Sequence, residues 1–205
     1  MVTAPEALDR LRDGNRRFAS RSHKDGSRLE TRPAEVAAGQ EPFAIILGCS
    51  DSRVPAEIVF DQGLGDLFVI RVAGNIVAPS QIGSVEFAAT KFGTRLVVVL
   101  GHSKCGAIEE TVRQLRAATE NRSRNLRSIV DFVRPSVEPL LAKGLDNDPD
   151  ALIEQAVRAN IRASAEQMRR GSEILEELEQ EEGLLIVGAE YSLETGWVDF
   201  FDGVP

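Results

Sequence analysis

Residues 43 to 55 read Phe-Ala-Ile-Ile-Leu-Gly-Cys-Ser-Asp-Ser-Arg-Val-Pro. The unbroken apolar run Phe43 to Leu47 has no polar alternation, which is the pattern of a short strand buried on both faces. A polar loop opens directly from its carboxyl end. The same order returns downstream: Leu67 to Val72 reads as a strand, Ser80 to Phe92 as a helix closed by Gly93, Arg95 to Leu100 as a strand and Lys104 to Ala118 as a helix. Strand alternating with helix predicts an α/β fold on a mostly parallel central sheet flanked by helices. Leu184 to Val187 completes about four strands, and Trp197 to Phe201 adds a C-terminal edge strand after a turn at Glu194 to Gly196.

Outside this frame the pattern is helical. Leu8, Leu11 and Phe18 recur at near-helical spacing from Ala4 to Ser20, and Pro5 suits a first turn, so a projecting N-terminal helix is expected. A short helix is expected from Pro33 to Ala38, stopping at Gly39. Asn125 to Ala142 reads as a helix interrupted by Pro135 and Pro139. Asp150 to Glu182 reads as helical with a weak point at Gly171, after a loop from Lys143 to Asp150.

Composition narrows the function. The chain has 205 residues, 42% of them hydrophobic, enough for a single domain over residues 1–205. Thirty-two acidic against 24 basic residues give a net charge of -8, which argues against a phosphate-backbone binder, so no nucleic-acid partner is expected. Arg16, Arg17, Arg21, Lys24 and Arg28 are interleaved with Asp13 and Asp25 and read as a solvated helix end; Glu176 to Glu182 reads as a solvated face. No apolar run approaches the roughly 20 residues needed to span a bilayer, and residues 1–13 lack the apolar core of a secretory signal. A soluble, cytoplasmic protein with no membrane partner is expected.

Two cysteines are too few for a disulfide scaffold, leaving inert core residues, one disulfide or metal ligands as readings. Their neighbours favour the last. Cys49 and His102 each follow an apolar strand directly, and Cys105 is three residues beyond His102. Ligands collect beyond the carboxyl ends of parallel strands, where loops converge. A Cys₂His set leaves a fourth tetrahedral position open, the arrangement of catalytic zinc. Asp51 and Arg53 beside Cys49 would be costly to bury without a partner or a task.

The segments Cys-Ser-Asp-Ser-Arg-Val-Pro (49 to 55) and His-Ser-Lys-Cys-Gly (102 to 106) resemble the two signature segments of the β-class carbonic anhydrases. The likeness continues through Gly63 to Arg71, Ala73-Gly74-Asn75 and the terminal strand pair joined through Tyr191 to Gly196; it is vaguest from about residue 120 to 180. It implies one zinc ion per subunit on Cys49, His102 and Cys105, with Asp51 as a fourth ligand in a closed state. The implied reaction is reversible hydration of carbon dioxide to bicarbonate by zinc-bound hydroxide, oriented by the Asp51–Arg53 pair. Members regulated by bicarbonate carry a tryptophan three residues before the first cysteine, with an arginine and a tyrosine; here Ile46 replaces the tryptophan, while Arg71 and Tyr191 fit the other places. The resemblance sides with the plant-like pocket, with Gln40, Phe68, Phe87 (for an expected tyrosine) and Gly106 around the substrate. It further implies a homodimer or dimer of dimers that completes the pocket, with an arm from residues 1–30 packing on the partner rather than on its own core and the sheet continuing across the interface.

Two other readings stay open on the sequence. Carbon disulfide or carbonyl sulfide could replace carbon dioxide on the same scaffold, or Cys49 and Cys105 could serve a non-enzymatic zinc or thiol-redox protein. Neither cysteine has the Cys-x-x-Cys spacing of a redox motif. His23, the only other histidine, reads as surface decoration, and no proton shuttle is assigned.

Overall fold

The computed structural model of the chain describes residues 2–22, 36–117, 123–143 and 148–205. His23, Lys24, Arg28, half of the helix expected at Pro33 to Ala38 and part of the loop expected at 143–150 lie outside the described residues. Five strands form one sheet: β1 Ala44–Gly48, β2 Leu67–Arg71, β3 Leu96–His102, β4 Leu185–Tyr191 and β5 Val198–Asp202. Their order is β2-β1-β3-β4-β5, with the first four parallel and β5 antiparallel to β4.

The central strands β1 and β3 are buried along their whole length because both faces are covered, and the two-residue period of the sheet sorts side chains between two cores. Ile45, Leu47, Val97, Val99 and Ile186 face one core. That side is built by α3 Pro79–Lys91, α4 Gly106–Ala117, α5 Arg124–Ala142, α6 Pro149–Arg170 and α7 Glu173–Glu181. Ala44, Ile46, Val98, Leu100 and Val187 face the other, under α1 Ala4–Ala19 and the short α2 Ala56–Val59.

The α1 helix starts at a capping box, in which the Thr3 hydroxyl oxygen accepts from the Glu6 N–H and the Glu6 carboxylate accepts from the Thr3 N–H. Its apolar stripe does not await a partner. Leu8 and Leu11 are 1% and 0% exposed and pack on this chain's own sheet, each stabilising the docked helix by about 1.5–3 kcal/mol. Gly14 permits this approach, since a Cβ there would stand 1.8 Å from the Phe60 carbonyl oxygen. Asn15 closes the contact, donating to the Val59 and Gly196 carbonyls and accepting from the Val198 N–H. The expectation that residues 4–20 pack on a partner rather than on their own core is therefore corrected.

One other expectation changes. Pro135 and Pro139 do not interrupt α5, which runs unbroken through both. Four residues apart, they share its exposed face, where water can take the carbonyls they leave unbonded, while Val130, Val133 and Val137 keep the helix on the core. The helical stretch after residue 149 does divide at Gly171, where Ser172 caps α7 by accepting from the Leu175 N–H. Among the described residues no helix is long and apolar enough to cross a membrane.

Candidate metal centre

At the carboxyl ends of β1 and β3 the sheet delivers three donors to one place. Cys49 is the first residue after β1, His102 is the last of β3, and Cys105 precedes α4. One ligand atom from each lies within 4.8 Å of the other two, and all three residues are buried, at 5%, 0% and 1% exposure. The turn between the last two is tight: Lys104 takes a φ of 52°, left-handed for a residue with a side chain, which swings Cys105 back toward His102.

His102 is oriented as a ligand. Its Nδ1 lies 2.9 Å from the Ser103 carbonyl oxygen, which can only accept, so Nδ1 carries the proton and Nε2 presents a lone pair. That Nε2 is buried with no hydrogen-bond partner. An unsatisfied buried acceptor costs about 1–3 kcal/mol, a cost a bound cation would remove. The two thiols are unequal. A hydrogen bond from Cys105 lowers the pKa of Cys49, aided by the Gly74 N–H at 3.4 Å, against the cost of burial. Cys105, which holds the shared proton, is raised correspondingly. Gly74 reaches the sulfur from a 3-10 turn at Ala73–Asn75 with a φ of 72°, a conformation glycine adopts without strain. Two thiols and one imidazole at this spacing suit zinc.

Asp51 stands beside the group without joining it. Arg53 grips it bidentately, Nε to Oδ1 at 2.9 Å and Nη2 to Oδ2 at 2.7 Å, and the Arg53 backbone N–H adds a third bond to Oδ1. Those bonds hold the Asp51 carboxyl well below the usual carboxylate range, so it stays ionised through mildly acid pH. Oδ1 accepts twice and Oδ2 once, and it is Oδ2 that lies 3.9 Å from His102 Nε2. An acceptor position therefore remains on the oxygen nearest the three donors.

The remaining expected residues divide. Gly106 opens α4 with no heavy atom within 4 Å of the place a Cβ would take. Phe68 and Phe87 meet each other and Phe92, with ring centroids 5.8–6.2 Å apart, and Gln40 shares a cavity of about 750 Å³ with Phe92. None of these three lies at this chain's own donors. Phe68 is level with Ile45 and Ile45 with Val97, whereas His102 is five residues further along β3, about 16 Å at 3.3 Å per residue. Two contributions escaped the sequence reading. Arg71 donates to the carbonyls of Cys49 and Asp51 at 3.0 and 2.6 Å, pinning the ligand loop. The turn before β5 docks on Ser103 and Lys104. Both are contacts between segments distant in sequence, with no local signal.

Comparison with known proteins agrees with the geometry. The carbonic anhydrase family model matches residues 44–198. Carbonic anhydrase 2 of Mycobacterium tuberculosis is 37% identical over 186 residues, covering 91% of this chain and 87% of that protein. Among solved structures, the β-carbonic anhydrase CcaA superimposes with a TM-score of 0.72 at 26% identity, covering 97% of this chain and 92% of that one. CafA of Aspergillus fumigatus gives 0.75 at 24% identity, covering 98% and 91%. With its ligand-like donors at the ends of β1 and β3 and both signature segments inside the matched region, this chain belongs to the carbonic anhydrase family, in its β class.

Proposed function

We propose that this enzyme reversibly hydrates carbon dioxide to bicarbonate and a proton, with one zinc ion per subunit held by Cys49, His102 and Cys105. The observation that carries the reading is the partnerless, buried Nε2 of His102, grouped with two thiols beside an arginine-fixed carboxylate. When bound, zinc supplies a Lewis acid that brings the pKa of a coordinated water from ~15.7 toward ~7. Two thiolates donate more charge than imidazoles would, so help from Asp51 is needed. Oδ2 of Asp51 accepts the hydrogen bond of the attacking oxygen, which leaves a lone pair for the carbon of the substrate. Arg53 keeps that carboxylate ionised and still. The space beside Gly106, where a Cβ would meet nothing within 4 Å, leaves room for a substrate oxygen. Asp51 reaches the metal as a fourth ligand only by giving up its three bonds to Arg53.

Gln40, Phe68 and Phe87 wall the plant-like pocket from a second copy of the chain; the sheet register at Phe68, and the contact of Phe87 with it, support this reading. A homodimer or dimer of dimers follows from this, with residues 1–30 contributing faces of the arm not already used on its own sheet.

The test is stopped-flow carbon dioxide hydration with zinc content measured on the same preparations. Asp51→Ala is expected to retain zinc and lose about 10²–10³-fold in turnover, the usual loss for removing one group aimed at developing charge. Zinc-loaded wild type that hydrates nothing between neutral and alkaline pH would overturn the reading.

A further inference from the structure

Between His102 and Cys105 stand only Ser103 and Lys104, and both are held from outside by the turn that joins β4 to β5. The Ser103 N–H donates to the Tyr191 carbonyl at 3.0 Å, and the Ser103 hydroxyl accepts from the Leu193 N–H at 3.0 Å. That hydroxyl donates in turn to Glu194 Oε2 at 2.9 Å. The other oxygen of the same carboxylate, Oε1, lies 2.6 Å from Lys104 Nζ. One side chain thus grips both residues that separate two of the proposed ligands. The grip falls where the backbone is least comfortable, at Lys104 with its φ of 52°. It also acts through the Ser103 carbonyl, which fixes the tautomer and ring plane of His102. Arg53 holds the far side of the same turn, donating to the Lys104 carbonyl at 3.4 Å.

We propose that Glu194 is a positioning residue for the metal: by bridging Ser103 and Lys104 it sets the His102-to-Cys105 spacing and thereby slows loss of zinc. This rests on the zinc reading given above. Glu194 touches neither the ligands nor the substrate, so its effect passes through the turn. The ion pair with Lys104 is exposed and adds little stability by itself, so the grip on the turn depends on both contacts together.

The proposal is tested by the rate at which excess chelator removes zinc from the folded holoenzyme, for wild type, Glu194→Ala, Glu194→Gln and Ser103→Ala. Loss of an outer partner of a ligand commonly weakens metal binding 10–100-fold, and this partly exposed case belongs near ~10-fold. Glu194→Ala and Ser103→Ala should release zinc about 10-fold faster. Glu194→Gln keeps an acceptor for Ser103 and should fall between them and wild type. The cobalt-substituted Glu194→Ala protein should also show shifted thiolate charge-transfer and d–d bands, which loss of stability alone would not move. Release at the wild-type rate with an unaltered cobalt spectrum, even with a lowered Tm, would overturn the proposal and leave the zinc reading intact. Wild-type protein that takes up no zinc, or keeps it in Cys49→Ser with His102→Ala, would overturn both.

Discussion

Arg71 shows how one residue can carry two meanings. In sequence it fits the arginine of a bicarbonate pocket; in the folded chain its guanidinium is committed to the carbonyls of Cys49 and Asp51. Tyr191 is 5% exposed and packs against Phe18, and Ile46 is wholly buried between sheet and helix. Ile46 offers an anion no donor, and Arg71 already uses Nε and Nη2 within the loop. Inhibition of hydration by bicarbonate should therefore follow a simple hyperbola. A steep sigmoidal response of the purified enzyme would show that these side chains rearrange into a regulatory site. Cys49, Asp51, Arg53, His102 and Cys105 were legible because their spacing after apolar strands is local. The Gly74 N–H at the Cys49 sulfur was not, since it depends on a turn 25 residues away in sequence.

Elements bounded by strong periodicity fell where expected, and those decided by their surroundings did not. The short α2 has too few residues for a helical period to show. Proline at 135 and 139 reads locally as a break, yet the core contacts of Val133 and Val137 outweigh the lost hydrogen bonds. A helix-interior proline costs ~3 kcal/mol, offset by the ~0.4–1 kcal/mol gained from stiffening the unfolded chain. Pro135→Ala should thus stabilise the protein by about 2–2.6 kcal/mol and raise Tm by roughly 4–10 °C. Thermal unfolding followed by circular dichroism checks this; a lowered Tm would mean that the proline ring makes contacts its exposure conceals.

For the molecule as a whole, the outer edge of β2 matters most, since among the described residues no strand pairs beyond it. The Val72 N–H donates to the Gly48 carbonyl, so in this parallel pair Phe68, Ile70 and Val72 turn their backbone groups to β1 while Leu67, Val69 and Arg71 turn theirs outward. Phe87 and Leu64 nearby are 52% and 53% exposed. If a second copy pairs along this edge and lends Phe68 and Phe87 to the neighbouring pocket, removing one outward N–H should break the assembly without breaking the sheet. Val69→Pro is expected to shift the mass in light scattering from oligomer to monomer and to lower hydration steeply while far-UV circular dichroism stays near wild type. An unchanged mass would place the interface elsewhere.

Residue type and short-range spacing, which a linear chain displays, were enough for the parallel α/β frame, the strand ends that carry the three donors, and the pairing of two thiols, an imidazole and an Asp–Arg pair. Long-range packing was needed to show that α1 lies on its own sheet, that Arg71 and Glu194 brace the two donor loops, and that Phe68 and Phe87 stand far from their own donors. Those are outcomes of packing between segments tens of residues apart, where contacts and strand register, rather than local propensity, set the geometry.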